Sequence, residues 1–265
     1  MYAFTYHRPQ NLRSAAAMAT KHADSKLLAG GHTLLPTMKQ RLASPAHIID
    51  LGQCAELRAI EKKGRTIVIG AMARHAEVAD SALVAENIPA LAHLAGMIGD
   101  PAVRNRGTIG GSVANNDPAA DYPAACVALG ATIVTNKKRV HAEQFFTGLF
   151  ETALEDGEII TKVIFPIPTR AGYTKFRNPA SRYAMVGVFV AKKGKDVRAA
   201  VTGAGGNGVF RSKEVETALA DKFSGKALDG VKIPAAGLLS DIHADAAYRA
   251  HLIGVMARRA VEAAK

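Results

Sequence analysis

The chain has 265 residues, 48% of them hydrophobic and 22% charged, and carries a formal net charge of +11. This composition suits a folded protein of one large or two modest domains, and no apolar run approaches the ~20 residues that a membrane span needs. The only cysteines are Cys54 and Cys126, with no CxxC, so the four Cys ligands normally taken by an iron–sulfur cluster are lacking. The nine histidines include no HExxH and no pair at i,i+4, so no metal site is expected. MYAFTYHRPQ does not read as a secretory signal, and the expected compartment is the cytoplasm.

In chain order, Asn11 is an N-cap candidate before the Ala-rich LRSAAAMATKHA, which reads as a helix. KLLA reads as a strand, GGH as a turn, TLLPTMKQRL as a helix and AHIIDL as a second strand, together a small βαβ unit. LRAIEKKGRTIVIGAM alternates on both arms around Lys63-Gly64 and predicts a hairpin. Helical segments follow near 76–83 and 88–98. The stretch 104–123, RNRGTIGGSVANNDPAADYP, is rich in Gly, Asn, Asp and Pro and is expected to be a functional loop. PAACVALGA predicts a helix, TIVTNKKRVHAEQF a hairpin and EIITKVIFPIP a strand ending in prolines. That segment marks a boundary near 170. Beyond it come two long strands meeting at Gly194, the helix SKEVETALAD and a terminal helix within AAYRAHLIGVMARRAVEAA. The class is α+β.

Lys62-Lys63, Lys137-Lys138-Arg139 and Lys192-Lys193 sit beside turns and read as solvated hairpin tips. The positive charge suits an acidic protein partner as well as nucleic acid. With 6% aromatics and no Trp, base-stacking platforms are not evident, and no nucleic-acid partner is expected.

Three loops are dense in glycine. Gly30-Gly31-His32-Thr33 and Gly110-Gly111-Ser112 each follow an apolar run and end on small polar groups. Glycine permits φ > 0 and close approach to a ligand, and successive backbone N–H groups form a concave anion site. Two such nests can clamp a diphosphate, and neither has the Lys of a triphosphate-binding loop. Asp117 and Asp121 beyond the second loop read equally as acceptors from ribose hydroxyls or as caps of the following helix. The third loop, GAGGNG at 203–208, fits GxGxxG, but too few residues follow it for a full dinucleotide-binding fold.

LLAGGHTLLPTMKQRLASPAHIIDL, IGDPAVRNRGTIGGSVANNDPAADYPAA, EIITKVIFP, YTKF and SDIHADAAYRAHLIGVMARRA resemble, in order, the FAD-binding medium subunit of the molybdenum hydroxylases. Within that family they look most like the flavoprotein subunit of aerobic carbon monoxide dehydrogenases, and the module also occurs in xanthine dehydrogenases. The resemblance implies a two-subdomain FAD-binding domain of the vanillyl-alcohol-oxidase/PCMH type over 1–170, divided near 55. A C-terminal α+β domain with a three-stranded sheet and helices is implied over 171–265. It implies FAD as cofactor, its diphosphate held by Ala29, Gly30, Gly31, His32 and Thr33 and by Thr108, Ile109, Gly110, Gly111 and Ser112. Asp121 matches an acidic residue near the ribose, Ile98 an apolar position beside the adenosine, and Ile160 and Lys175 positions lining the site. Tyr183 matches an aromatic residue over the isoalloxazine, or is a packed tyrosine at a strand start.

The implied role is electron transfer. A large subunit holds the molybdenum cofactor, a small subunit holds two [2Fe–2S] clusters, and electrons pass through them to FAD and an acceptor. The implied assembly is a heterotrimer that dimerises. Two alternatives remain. One is a self-contained FAD oxidoreductase, for which only Tyr183 and His32 offer polar groups over the ring, His32 fitting a loop donor better than a base. The other is a basic RNA-binding module.

Overall fold

Asn11 starts the first helix as its chemistry predicts, accepting a hydrogen bond from the Ser14 N–H at 2.9 Å. A computed structural model describes residues 1–265. Its first unit runs β1 (Thr5–His7), α1 (Leu12–Lys21), β2 (Ser25–Leu28), α2 (Leu34–Lys39) and β3 (His47–Asp50). β3 lies between β1 and β2 and is parallel to both. The βαβ unit is therefore present, with one strand more than the sequence pattern suggested. Tyr6 and its neighbours are too exposed to give β1 an apolar signal. Eight buried residues form the small core beneath this sheet, among them Ala15, Ile49, Leu51 and Cys54.

The second unit begins with the expected hairpin, β4 (Ile60–Lys63) and β5 (Thr66–Gly70), turning at Gly64 with φ +58°. Six helices follow: α3 (His75–Ala79), α4 (Ala82–Asn87), α5 (Pro89–Gly96), α6 (Pro101–Arg104), α7 (Ile109–Asn115) and α8 (Tyr122–Ala128). Next come β6 (Thr132–Thr135), β7 (Arg139–His141), α9 (Ala142–Phe145), β8 (Phe146–Gly148), β9 (Glu151–Thr152) and β10 (Ile160–Pro166). β10 is central in an antiparallel sheet ordered β4-β5-β10-β6-β7. The stretch 104–123 is not one loop, because α7 occupies its middle. Two glycines of low helix propensity hide this helix in the sequence. It forms because Thr108 caps it, its hydroxyl accepting from the Gly111 N–H at 3.1 Å. It stops at Asn116, left-handed at φ +44°, whose Nδ2 donates to the carbonyls of Gly148 and Glu151 at 2.8 Å each.

The remaining elements are β11 (Arg170–Arg177), β12 (Ala184–Lys193), β13 (Asp196–Thr202), the short edge strand β14 (Phe210–Arg211), α10 (Lys213–Asp221) and α11 (Ala246–Glu262). Three long antiparallel strands thus form the body of this sheet. Its two faces follow the alternation of β12. Val186, Val188 and Val190 pack towards Val215 of α10 and Ile253 and Met256 of α11. Phe189 and Ala191, with Ala171 and Tyr173, join the 33-residue core of the second unit. That core therefore continues across position 170. GAGGNG runs into β14 and not into a helix, so it is no dinucleotide fingerprint. It is instead a tie: the Gly203 N–H donates to Pro118 O at 2.8 Å, and the buried Arg249 donates to Gly203 O at 2.8 Å and Met185 O at 2.6 Å.

The three lysine-rich clusters lie at hairpin turns, and both cysteines are buried free thiols, as the sequence suggested. No helix is long and apolar enough to cross a membrane.

Candidate functional site

The C-terminal ends of the strands in a parallel sheet are where open α/β units place ligands. The first glycine loop begins there, at the end of β2. Gly31 has φ +74°, which a β-branched residue strongly disfavours. None of the backbone N–H groups of Gly30, Gly31, His32 and Thr33 donates a hydrogen bond within the protein. The loop accepts bonds instead: Leu35 N–H donates to Gly31 O at 3.2 Å and Thr37 N–H to Thr33 O at 3.1 Å. The His32 Nδ1 lies 3.1 Å from Gly30 O, which makes the ring a brace of its own loop. Four successive unpaired donors ahead of a helix are groups that an anion can engage.

The second loop lies against the first. A Cβ added to Gly30 would meet the Arg106 carbonyl and sit 2.7 Å from Gly107 Cα, and one added to Gly111 would sit 3.6 Å from Ala29 Cβ. Its donors differ from those of the first loop. Ile109 N–H donates to Ala73 O, Gly110 N–H to Ala71 O, Gly111 N–H to the Thr108 hydroxyl and Ser112 N–H to Thr108 O. The expectation of two equivalent nests is therefore corrected: the amides from Ile109 to Ser112 are spent inside the fold. Only the Thr108 N–H and the Ser112 hydroxyl remain unpaired within the protein. Gly110 is small for packing, since an added Cβ would lie 2.5 Å from Ala71 Cβ and 2.7 Å from Ala71 O.

His75, which spacing did not single out, forms the floor under this second loop. Its N–H donates to Gly107 O at 3.0 Å, and a Cβ on Gly107 would lie 2.5 Å from its Nε2. The ring is buried beside Tyr122, with centroids 5.4 Å apart, and neither His75 Nδ1 nor Tyr122 Oη has a partner. Burial lowers the His75 pKa from 6.5 to about 4, so the ring is neutral at pH 7.

Asp121 neither caps its helix nor opens to solvent. The Lys175 ammonium donates to its Oδ2 at 3.0 Å and lies 2.9 Å from Oδ1, and the Tyr173 hydroxyl donates to the same carboxylate. Both ends of the pair are buried. Burial pushes the Asp121 carboxyl up, and the Lys175 charge opposes that shift. The pair joins α8 to β11. Tyr173 is the member that motif reading missed; only its place on the inward face of β11 signals it.

Tyr183 precedes β12 in the turn 178–183 and is 53% exposed. Desolvation raises its hydroxyl pKa, and the charges of Asp117 and Asp121 add to the rise. Asp117 closes its own turn by accepting from Ala119 N–H at 2.8 Å. Ile98 lies in the half-buried turn after α5, which Arg104 holds by donating to Ile98 O and Gly99 O at 3.1 Å each. Ile160 is buried at the start of β10, beside Thr161, whose carbonyl accepts from the Ala71 N–H at 2.9 Å. Through Ala71 it adjoins the Gly110 contact.

Residues 2–168 match the family model described as the FAD binding domain in molybdopterin dehydrogenase. Over its full length the chain is similar to the carbon monoxide dehydrogenase medium chain of Hydrogenophaga pseudoflava, at 36% identity covering 98% of this chain and 96% of the relative. It is also similar to the nicotine 6-hydroxylase medium subunit of Paenarthrobacter nicotinovorans, at 34% identity covering 98% and 96%. Among solved structures, reconstituted CO dehydrogenase from Oligotropha carboxidovorans matches with TM-score 0.89 and 33% identity, covering 99% of this chain and 97% of that one. A run of unpaired amides fits the diphosphate of such a cofactor. The chain belongs to the family of FAD-binding domains of molybdopterin dehydrogenases, with FAD as its cofactor and oxidoreduction as its chemistry.

Proposed function

We propose that this chain is the FAD-carrying electron-transfer subunit of a molybdenum hydroxylase complex, receiving electrons from [2Fe–2S] clusters on a small partner subunit and delivering them to an external acceptor. The observation that carries the reading is the row of four free N–H donors from Gly30 to Thr33, abutting the backbone at 106–107. Bound FAD supplies the exchange between one-electron and two-electron transfer. The chain's own residues bind and orient it.

In this reading the amides of residues 30–33 hold the diphosphate, joined by the Thr108 N–H and the Ser112 hydroxyl. Ile98 and Ile160 give apolar walls. Asp121 acts by fixing Lys175 and Tyr173, so the β11 wall stays in place while α8 carries the second loop's far end. Tyr183 supplies an exposed ring at the rim. Residues 1–170 form the FAD-binding unit, and 171–265 form a C-terminal unit buttressing it.

The relatives' names span carbon monoxide and nicotine at near-equal identity. That supports placing substrate choice on the large molybdenum subunit, with the three chains assembling as a heterotrimer. The test is co-purification followed by reduction. The chain should release FAD and not FMN on denaturation. Its flavin should bleach when substrate is added to the assembled complex and stay oxidised when substrate is added to the chain alone. Turnover of substrate by the isolated chain would favour a self-contained oxidoreductase and overturn the proposal.

A further inference from the structure

Histidine spacing gives no metal motif, yet the fold gathers three of the nine histidines at one place. His7 ends β1, His22 caps the C-terminal end of α1 and His47 opens β3. In the parallel register Thr5 pairs with His47 and His7 with Ile49, so His7 and His47 stand two positions apart on neighbouring strands. The three rings crowd together with centroids 4.0 to 5.2 Å apart. His7 Nε2 and His47 Nδ1 are 3.0 Å apart, and one ring nitrogen from each of the three lies within 4.8 Å of the others.

A tetrahedral ion bound at about 2.0–2.1 Å holds its ligand nitrogens about 3.4 Å apart. Modest ring rotations therefore turn this cluster into a three-imidazole site. All three side chains are half-buried, which leaves a fourth position open to water. Imidazole ligands suit zinc, copper and nickel and not magnesium or calcium. Metal binds the neutral imidazole, so protons compete with the ion for these nitrogens.

We infer that His7, His22 and His47 bind one divalent transition-metal ion of the zinc class, pinning β1, the end of α1 and β3 together. The core beneath this sheet has only eight buried residues, and three of them, Leu57, Met72 and Ile159, come from outside the first unit; such small cores are where a bound ion adds most to stability. The site is separate from the cofactor cradle. His47 pairs with Ser25 at the start of β2, whereas the glycine loop follows Leu28 at its end. Metal and FAD should therefore bind without competing.

The chain, produced without a histidine tag and stripped with chelator, is dialysed against Zn²⁺ and its metal counted by mass spectrometry. Binding is then titrated calorimetrically at pH 7.5 and 5.5. The expected result is one equivalent at pH 7.5, weaker binding at pH 5.5 and a higher melting temperature with zinc. Cu²⁺ in the same site should show nitrogen hyperfine structure in its electron paramagnetic resonance spectrum. His22→Ala should lower zinc affinity at least ~100-fold, beyond the loss seen when outer-shell partners are removed, while keeping its flavin and its circular dichroism. His93→Ala and His141→Ala should bind zinc like the parent chain. Stoichiometric zinc retained by both His22→Ala and His47→Gln would overturn the inference. So would a parent chain that binds no more zinc than His22→Ala.

Discussion

Gly31→Val separates cofactor binding from folding. The residue has φ +74°, and placing a side chain there costs about 1–2 kcal/mol. The nearest atom to an added Cβ is Leu35 Cδ1 at 2.8 Å, the end of a flexible side chain that can turn away. Against a total stability of about 5–15 kcal/mol, that leaves a folded protein. The cradle suffers more. Relaxing φ towards negative values redirects the Gly31 and His32 N–H groups, and each charge-assisted hydrogen bond is worth about 1.5–3 kcal/mol. Losing two costs about 3–6 kcal/mol, at least a hundredfold in affinity. The assay is fluorescence titration of the apoprotein with FAD, with circular dichroism to confirm folding. Gly254→Ala is the control, because nothing lies within 4 Å of a Cβ at that helical position. Gly110→Val should fail in a different way, losing the fold itself, since its Cβ would meet Ala71 at 2.5 Å. If folded Gly31→Val binds FAD like the parent chain, the four amides are not the diphosphate cradle.

Lys175→Met leaves the Asp121 carboxylate buried without its cation and should destabilise the protein by about 3–5 kcal/mol in urea unfolding. Adding Asp121→Asn to that variant should restore most of the loss. His75 has a folded pKa of about 4 against 6.5 unfolded, so the unfolded chain takes up the proton first and stability falls as pH drops. This contribution is complete above pH 6.5 and declines by up to about 3 kcal/mol by pH 4. Unfolding of His75→Leu should show a correspondingly shallower acid dependence between those pH values. At net charge +11, association with less basic partner subunits should weaken as salt shortens the screening length from ~10 Å at 0.1 M to ~3 Å at 1 M. Affinity that does not change with salt would assign the charge another role.

Sequence pattern reaches those parts of the protein whose cause is local. The hairpin at Gly64 shows because Thr66–Ile69 is a β-branched run and glycine turns the chain, and α1 shows because Asn11 caps an alanine-rich run. Gly31 was legible as a special backbone position because only glycine takes that φ freely. Helix α7 was not, because its two glycines oppose helix formation and its support comes from Thr108 and from Gly148 and Glu151, distant in the chain. The same distance hid the pairing of Asp121 with Lys175: family resemblance flagged both residues, but only the packing of α8 on β11 shows that they bind each other. The meeting of His7, His22 and His47 depends on strand order and on where α1 ends against the sheet, which no spacing rule encodes.

β12 lends its even-numbered residues to one core and its odd-numbered residues to another. A strand shared in this way is a mechanical and thermodynamic hinge pin, because neither side can melt without exposing half of it. Because Gly30 abuts the second unit at Arg106 and Gly107, cofactor bound at residues 30–33 as proposed should slow amide exchange as far away as Val188 and Val190. A lesion in α11 should in turn loosen the grip on flavin. The two halves of the chain would be inherited, lost and stabilised as one cooperative unit.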